Sequence, residues 1–591
     1  MKILGLLFGH NSSCALISQT LVGAISEERL TRSKNSTDFP RESSFALLGE
    51  TSITADELDC VVVASRAIPF VKEKNIEIYN EERVGVGTSW QSRVKLILNE
   101  IHYRMPFLKP IFSALYQLNY RYLMSSGYQR LVTERIKREL KCETLDVVYA
   151  DHHLCHAYTA FYGFVPHQER KKPFLVFTLD GEGDGLCATI STVADGEWRL
   201  VSKTKAGNSI ASFYGSITKF LGMKINEHEY KVMGLAPYCT SPEIQDLANL
   251  FRSQFTINPD LSFSAIGGGN YFDRWLPAKL KHKRFDLVAA AAQLFVEEIA
   301  AEWIQLTIHK YGISNVVLSG GFFMNIKVNQ HIRTLKAVDK MIVCPSGGDE
   351  SIALGAAYYG LKLNGIEPGE AHEAKSLYLG TAIHKVECEA LYERIKADGK
   401  YKAEFKSDIV DVVAQLLADN KIVAHVDGRM EFGARALGNR SILANASNTA
   451  SVRTINKQIK GRDFWMPFAC SMLEEKADMY LDVDTYESLE YMAVGANTKP
   501  LAKKHLAAGI HQYDGSARPQ IVKKEQNQKY HAILSRYHEL TGMGGFLNTS
   551  LNLHGEPLVC SAEDAFSTFE RSGLEYLVIR NLLISKNGMD S

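Results

Sequence analysis

The sequence predicts an α/β protein of two domains, and three observations carry that expectation. Short apolar runs at 2–8, 174–179, 316–319 and 341–344 each end in a turn rich in glycine, aspartate or serine, as buried strands do when they deliver loops to a ligand. Stretches of helical length alternate with them, at 287–310 and from Ser351 onward. A polar, turn-forming segment at 365–376 divides the chain into domains of 1–370 and 376–591. With 591 residues, each part is long enough to bury its own core.

Composition narrows the function classes. Hydrophobic residues make up 46% and charged residues 23%, as in ordinary globular proteins. Lys+Arg and Asp+Glu both number 67, and this balance supports neither a nucleic-acid partner nor a membrane surface. Ten cysteines without a CxxC pair read as reduced thiols of a cytoplasmic protein. The apolar start is too short for a signal sequence and reads as a first strand. No run approaches the ~20 apolar residues of a spanning helix.

Taken in order, strand 2–8 is followed by the turn Gly9-His10-Asn11-Ser12-Ser13 and by strands 14–17 and 21–25, a hairpin that offers small polar groups. The mixed-charge run 26–34 reads either as a solvated loop or as one that touches an anion. Residues 85–141, where aromatic and basic side chains interleave, read as a helical insertion packed on the main body. Strand 145–149 leads to Asp151-His152-His153-Leu154-Cys155-His156. His152 and His156 are four apart, so on a helix both rings leave one face, which suits a divalent metal once carboxylates complete its shell. Strand 174–179 ends in Asp180-Gly181-Glu182-Gly183-Asp184-Gly185, bringing carboxylates and free backbone N–H groups together. At 320–325 a strand passes through Gly320-Gly321 toward a helix, letting the backbone approach a nucleotide whose polar edge Asn325 can bond. Asp349 stands at another strand end. Two lobes of such strand–turn units facing one nucleotide are the pattern of the actin/sugar-kinase/heat-shock-ATPase fold.

Beyond the divide, a helix at 408–419 and a strand at 422–426 precede the segment 428–443. There Arg429, Arg435 and Arg440 stand among glycines with few carboxylates beside them. Guanidiniums fixed by glycine turns form a site for an anion with several oxygens. Lys457, Lys460 and Arg462 follow, and later Arg518 and the amides and hydroxyls of 548–552.

These motifs resemble the NodU/CmcH-type O-carbamoyltransferases over nearly the whole chain. The resemblance rests on the stretches at 9–13, 27–32, 152–157, 180–184, 233–236, 320–321, 431–438 and 548–552. It implies an actin/sugar-kinase-like, two-lobed first domain similar to tRNA threonylcarbamoyltransferases, followed by an α/β YrdC-like domain. The implied chemistry is formation of carbamoyl adenylate from carbamoyl phosphate and ATP, then transfer of the carbamoyl group to a hydroxyl of a small natural-product or sugar acceptor, as in antibiotic biosynthesis. His152, His156, Asp180 and Asp349 match the family's metal ligands, iron being the implied metal, with magnesium accompanying ATP. Gly320, Gly321, Asn325 and Lys231 would hold the nucleotide. Arg435, Lys460, Arg518, Asn548 and Ser550 would hold carbamoyl phosphate, with Arg435 and Lys460 also catalytic, and His10 would take the acceptor's proton. Met466, Leu551, Ala434 and Asn11 depart from the usual pattern, and Met466 leaves one positive charge fewer in the anion pocket.

Two rival readings remain at this stage: a tRNA-modifying threonylcarbamoyl-type transferase, and a non-enzymatic nucleotide-binding protein of the same fold class. The insertion at 85–141 reads as an acceptor wall or a homodimer surface. The acceptor itself is not legible.

Overall fold

The structure, a computed structural model, describes residues 1–68, 103–105 and 108–586. Its first sheet begins with the expected hairpin of β1 (Ile3–Leu7), β2 (Ser13–Ile17) and β3 (Leu21–Ser26). β4 (Cys60–Val63) and β5 (Val147–Tyr149) complete it in the order β3-β2-β1-β4-β5. Three antiparallel strands are thus followed by two parallel ones. The second sheet repeats this plan. β6 (Phe174–Gly183), β7 (Leu186–Ala194) and β8 (Glu197–Lys205) form the antiparallel meander. β9 (Phe255–Ile257) and β10 (Phe263–Ala265) pair separately. β11 (Asn315–Ser319) and β12 (Lys340–Val343) then add in parallel, giving the order β8-β7-β6-β11-β12.

Between the two sheets lie the histidine helix, His152–Phe164, and the helix Ile352–Leu363. Ile3, Val62, Phe161, Val176, Val317 and Ile352 belong to one buried cluster, so both helices are apolar on more than one face, as inter-sheet helices must be. The histidine helix starts where it does because Asp151 accepts the N–H of Leu154 at 3.0 Å, satisfying one of the unpaired donors of the first turn.

The C-terminal part builds an eight-stranded mixed sheet from β13 (Tyr401–Phe405), β14 (Val423–Val426), β15 (Arg440–Ala444), β16 (Ala469–Leu473), β19 (Pro519–Val522), β20 (Gly545–Ser550), β21 (Tyr576–Ile579) and β22 (Leu582–Lys586). The two-residue strands β17 (Leu481–Asp482) and β18 (Asn497–Thr498) pair apart from it. One buried cluster runs from Leu175 and Trp303 through Ile442 and Leu547 to Ile584, so the second sheet and the C-terminal sheet share a core.

The structure bears on three sequence expectations. The charge run 26–34 is only partly solvated: Thr31, Ser33 and Lys34 are exposed, but Glu27 and Arg29 are buried, Arg29 donates to Gly433 O at 2.7 Å and Arg32 to Pro557 O at 3.0 Å. The segment 365–376 is anchored at both ends, since Arg170 donates to Pro368 O at 2.7 Å and Ala374 to Gly163 O at 2.9 Å. Of the insertion, the helices Lys109–Leu123 and Ser126–Leu140 are described, while 85–102 lies outside the described residues. Among the described residues no helix is long and apolar enough to cross a membrane.

Candidate functional sites

His152, His156, Asp180 and Asp349 converge between the sheets, one ligand atom from each lying within 4.8 Å of all the others. His156 Nε2 is 3.2 Å from Asp180 Oδ2 and 3.4 Å from Asp349 Oδ1, and His152 Nε2 is 3.5 and 3.6 Å from the same oxygens. A tetrahedral ion with bonds of about 2.1 Å would space its ligands roughly 3.4 Å apart. His152 Nε2 is buried and without a hydrogen-bond partner. Spacing, donor set and orphaned nitrogen all fit a divalent ion, which these four side chains could hold.

The sequence folds this way for local reasons. Asp184 accepts the backbone N–H of His152 at 2.9 Å, the hydroxyl of Ser65 at 2.7 Å and the N–H of Ala67 at 2.9 Å, pinning the histidine helix to the β6–β7 turn. A Cβ on Gly183 would lie 2.1 Å from the His152 ring, so glycine is required for that ring to seat. His153 points elsewhere and bonds Thr178 at 2.8 Å. Burial, then its two imidazole neighbours, push it down to about 3, so it is neutral. Burial also disfavours charge on His152, but Asp349 and Asp180 outweigh it and raise this histidine to about 9. Asp180 stays well below the usual carboxylate range: its burial is overcome by the two histidine rings beside it.

A second site of opposite character forms where the C-terminal sheet meets the first part. The 431–440 loop wraps around the buried Glu431, whose Oε1 accepts the N–H groups of Leu437, Asn439 and Arg440 at 2.8, 2.7 and 3.1 Å. Gly433 has φ +98, and a Cβ there would lie 2.3 Å from Ser346 Oγ. From this loop Arg435 joins Arg462 and Arg518. Burial, and then Arg435 and Arg462, push the Arg518 guanidinium well down, while the phenol of Tyr230 faces all three. All three arginines keep partial solvent access although protein surrounds them, so they line a cleft. Arg518 Nε is buried without a partner. Guanidiniums gathered without a matching carboxylate cluster suit a phosphate or a carboxyl phosphate.

The two sites share one turn. Asp349 belongs to the first, and Glu350 next to it is an electrostatic partner of Arg435. Ser346 bonds Glu350 and underlies Gly433.

The other expected site residues are placed as follows. His10 lies half-buried in the β1–β2 turn, and Ser13 of that turn donates to Glu350 O at 2.7 Å, so the turn adjoins Asp349. Gly320 and Gly321 abut the ion cluster, a Cβ on Gly321 reaching Asp180 Oδ1 at 2.8 Å. The oxygen of Asn325 caps the helix Ile326–Arg333 and its amide bonds Gln293 at 2.9 Å. Lys231 pairs with Asp463 at 3.0 Å. Lys460 Nζ meets four oxygens of Ser550 and Asn552 at 2.5 to 3.1 Å, so its three N–H groups hold the end of β20 rather than stand free for an anion. Ser550 donates to Asn552 Oδ1 at 2.7 Å. Asn548 is buried, its amide nitrogen donating to Ala436 O at 3.1 Å and its oxygen unpartnered. Sequence reasoning noted Arg462 and Asp184 without giving either a role of its own, and did not single out Tyr230. The Lys-Gly-Arg step at 460–462 was the available signal for the first.

The chain is similar to known proteins over most of its length. Residues 2–358 match the family profile described as Carbamoyltransferase N-terminus and 414–586 the one described as Carbamoyltransferase C-terminus. An uncharacterised protein of Methanocaldococcus jannaschii is 30% identical over 99% of both chains. The nodulation protein NolNO of Sinorhizobium fredii is 27% identical over 98% of this chain and 79% of its own. Among solved structures, component A of the Acidaminococcus fermentans (R)-2-hydroxyglutaryl-CoA dehydratase is 13% identical, with a TM-score of 0.32, over 62% of this chain and 99% of its own.

Proposed function

The chain belongs to the carbamoyltransferase family, and from that premise we propose that it is an ATP-dependent O-carbamoyltransferase acting on a hydroxylated small molecule. The observation that carries this reading is the pairing of an imidazole–carboxylate cluster with a guanidinium cluster across the shared turn 345–350. The repeated strand order of the first two sheets supports an actin/sugar-kinase-like first part. The C-terminal part is read as YrdC-like, making the adenylate.

In the first half-reaction water cleaves carbamoyl phosphate to carbamate and phosphate. A carbamate oxygen then attacks the α-phosphorus of ATP, forming a new P–O bond as pyrophosphate leaves. Arg435, Arg462 and Arg518 hold the phosphate charge and orient it, in a cleft where few other dipoles compete. In the second half-reaction the acceptor oxygen attacks the carbamoyl carbon, AMP departs with the electron pair, and a ring nitrogen of His10 takes the hydroxyl proton. His152, His156, Asp180 and Asp349 would hold a divalent ion, iron by family resemblance, which when bound supplies a Lewis acid near the transferring group. Asp184 keeps that set in register.

The test uses purified protein with carbamoyl phosphate and ATP. Wild type releases phosphate and pyrophosphate, and Arg435→Ala abolishes the release. His156→Ala keeps it but transfers nothing to a hydroxylated acceptor. A folded wild type that releases no pyrophosphate overturns the proposal.

A further inference from the structure

Arg435 and Arg518 reach the anion cleft from different elements, and as like charges they push those elements apart. Arg435 stands on the 431–440 loop, and Arg518 directly precedes β19. A buried amide joins the two. Gln520, two residues beyond Arg518, is 2% exposed, and its Nε2 donates to Leu437 O at 2.7 Å, two residues beyond Arg435. Its Oε1 accepts the hydroxyl of Ser471 at 2.6 Å and the amide of Asn548 at 2.9 Å. β16 lies between β19 and β20 in the sheet, and Ser471 is the register partner of Gln520. The directions of these bonds are forced. Leu437 O can only accept, so the nitrogen of Gln520 faces it and the oxygen faces Ser471. Tyr530 donates to Ser471 Oγ at 2.8 Å, which leaves the Ser471 proton for Gln520. Asn548 also donates to Ala436 O at 3.1 Å, and Tyr378 gives a second hydroxyl to Leu437 O at 2.8 Å. Gln520, Ser471, Tyr530 and Asn548 are all buried, so this network grips the backbone behind Arg435 from within the protein.

We propose that Gln520 is a positioning residue for the anion cleft: it ties the strand behind Arg518 to the loop that carries Arg435, and so sets the separation of the two guanidiniums before the anion arrives. The inference rests on the carbamoyl phosphate reading above and adds to it a residue that touches no substrate. A guanidinium displaced by about an ångström still attracts the anion through its charge but no longer matches its oxygens as the anion reacts. The loss therefore falls on turnover more than on binding.

The test measures carbamoyl phosphate-dependent release of phosphate and pyrophosphate by the full chain. Gln520→Met keeps the length of the side chain and removes its hydrogen bonds. It should lower kcat about 100-fold, while the KM for carbamoyl phosphate stays near the wild-type value. Gln520→Glu gives a sharper readout. As a carboxylate its new side chain accepts from Ser471 and Asn548 but sets an oxygen against Leu437 O; protonated, it donates to that carbonyl as glutamine does. Its kcat should climb toward wild type as pH falls, an added ionisation absent from the profiles of wild type and Gln520→Met. A wild-type kcat in Gln520→Met, a loss confined to thermal stability, a rise in KM alone, or a Gln520→Glu profile parallel to that of Gln520→Met overturns the positioning role and leaves the carbamoyltransferase reading standing. If Gln520→Met does not fold, the pH profile of Gln520→Glu decides. A wild type that releases no pyrophosphate overturns both.

Discussion

At the scale of residues, the anion cleft carries a stability cost. Three guanidiniums surrounded by protein repel one another until a ligand neutralises them. Replacing Arg518 with methionine should therefore stabilise the ligand-free protein by about 1–2 kcal/mol while weakening carbamoyl phosphate binding about 10- to 100-fold. Chemical denaturation and calorimetric titration check the two halves of that statement, and a variant that loses both stability and affinity counts against it. The ion cluster gives a contrasting case. Gly183→Ala drives a methyl into the His152 ring, whereas Gly181→Ala meets nothing within 4 Å. Metal analysis should find bound metal falling several-fold in the first variant and unchanged in the second. The i, i+4 histidines could be read from the sequence because helix geometry alone aligns their rings. Lys460 could not: the four oxygens that occupy it come from a strand end 90 residues away, and no local pattern announces them. Asn325 looked available for a nucleotide because a capping side chain and a ligand-binding one are the same residue type in the same place.

At the scale of elements, the strands read at 2–8, 14–17, 21–25, 316–319, 341–344 and 422–426 lie within a residue or two of those observed, because each is a short apolar run bounded by turn residues. β6, in contrast, continues past 179 to Gly183, and most of the C-terminal sheet was not read. Pairing order was not legible. That β6 repeats the role of β1, and β11 and β12 those of β4 and β5, depends on pairings between segments far apart in the chain, such as Ile3 with Cys60 and Val316 with Leu175. The helix Lys109–Leu123 is held to the main body through Lys109 and through Tyr120, whose hydroxyl donates to Glu182. Lys109 Nζ donates to Asn208 Oδ1 at 2.8 Å and to Ala265 O, with no carboxylate among these partners, and burial lowers its pKa to about 8. A lysine with a lowered folded pKa binds its proton less well when folded, so the penalty is full below pH 8 and is relieved as pH rises toward 10.5. Discounted for its partial exposure, wild type should gain about 1–2 kcal/mol on Lys109→Met between roughly pH 7.5 and 10. Urea midpoints of the pair measured across that range decide it, a constant difference refuting the assignment.

At the scale of the molecule, two domains were expected and two sequence regions are matched, yet the second sheet and the C-terminal sheet share one core. Bonds from Arg29 to Gly433, His511 to Gly234 and Asn329 to Ala493 at 2.7 to 2.9 Å cross between the parts. Cutting the exposed stretch near Gly365 should leave the two pieces associated and unfolding together in one calorimetric transition; two separated transitions would show independent halves. The cysteines offer a way to watch that event. All ten are buried and free, spread from Cys14 in the first sheet to Cys560 beside the last strands. None can meet a thiol reagent until its own neighbourhood opens, so the chain carries ten clocks wound by the same spring. Kept on ice with a chromogenic disulfide the protein stays silent, and on unfolding all ten should strike in a single phase. A chain that keeps its thiols this well hidden can store the reactive intermediates of group transfer beside them without alkylating or carbamoylating itself.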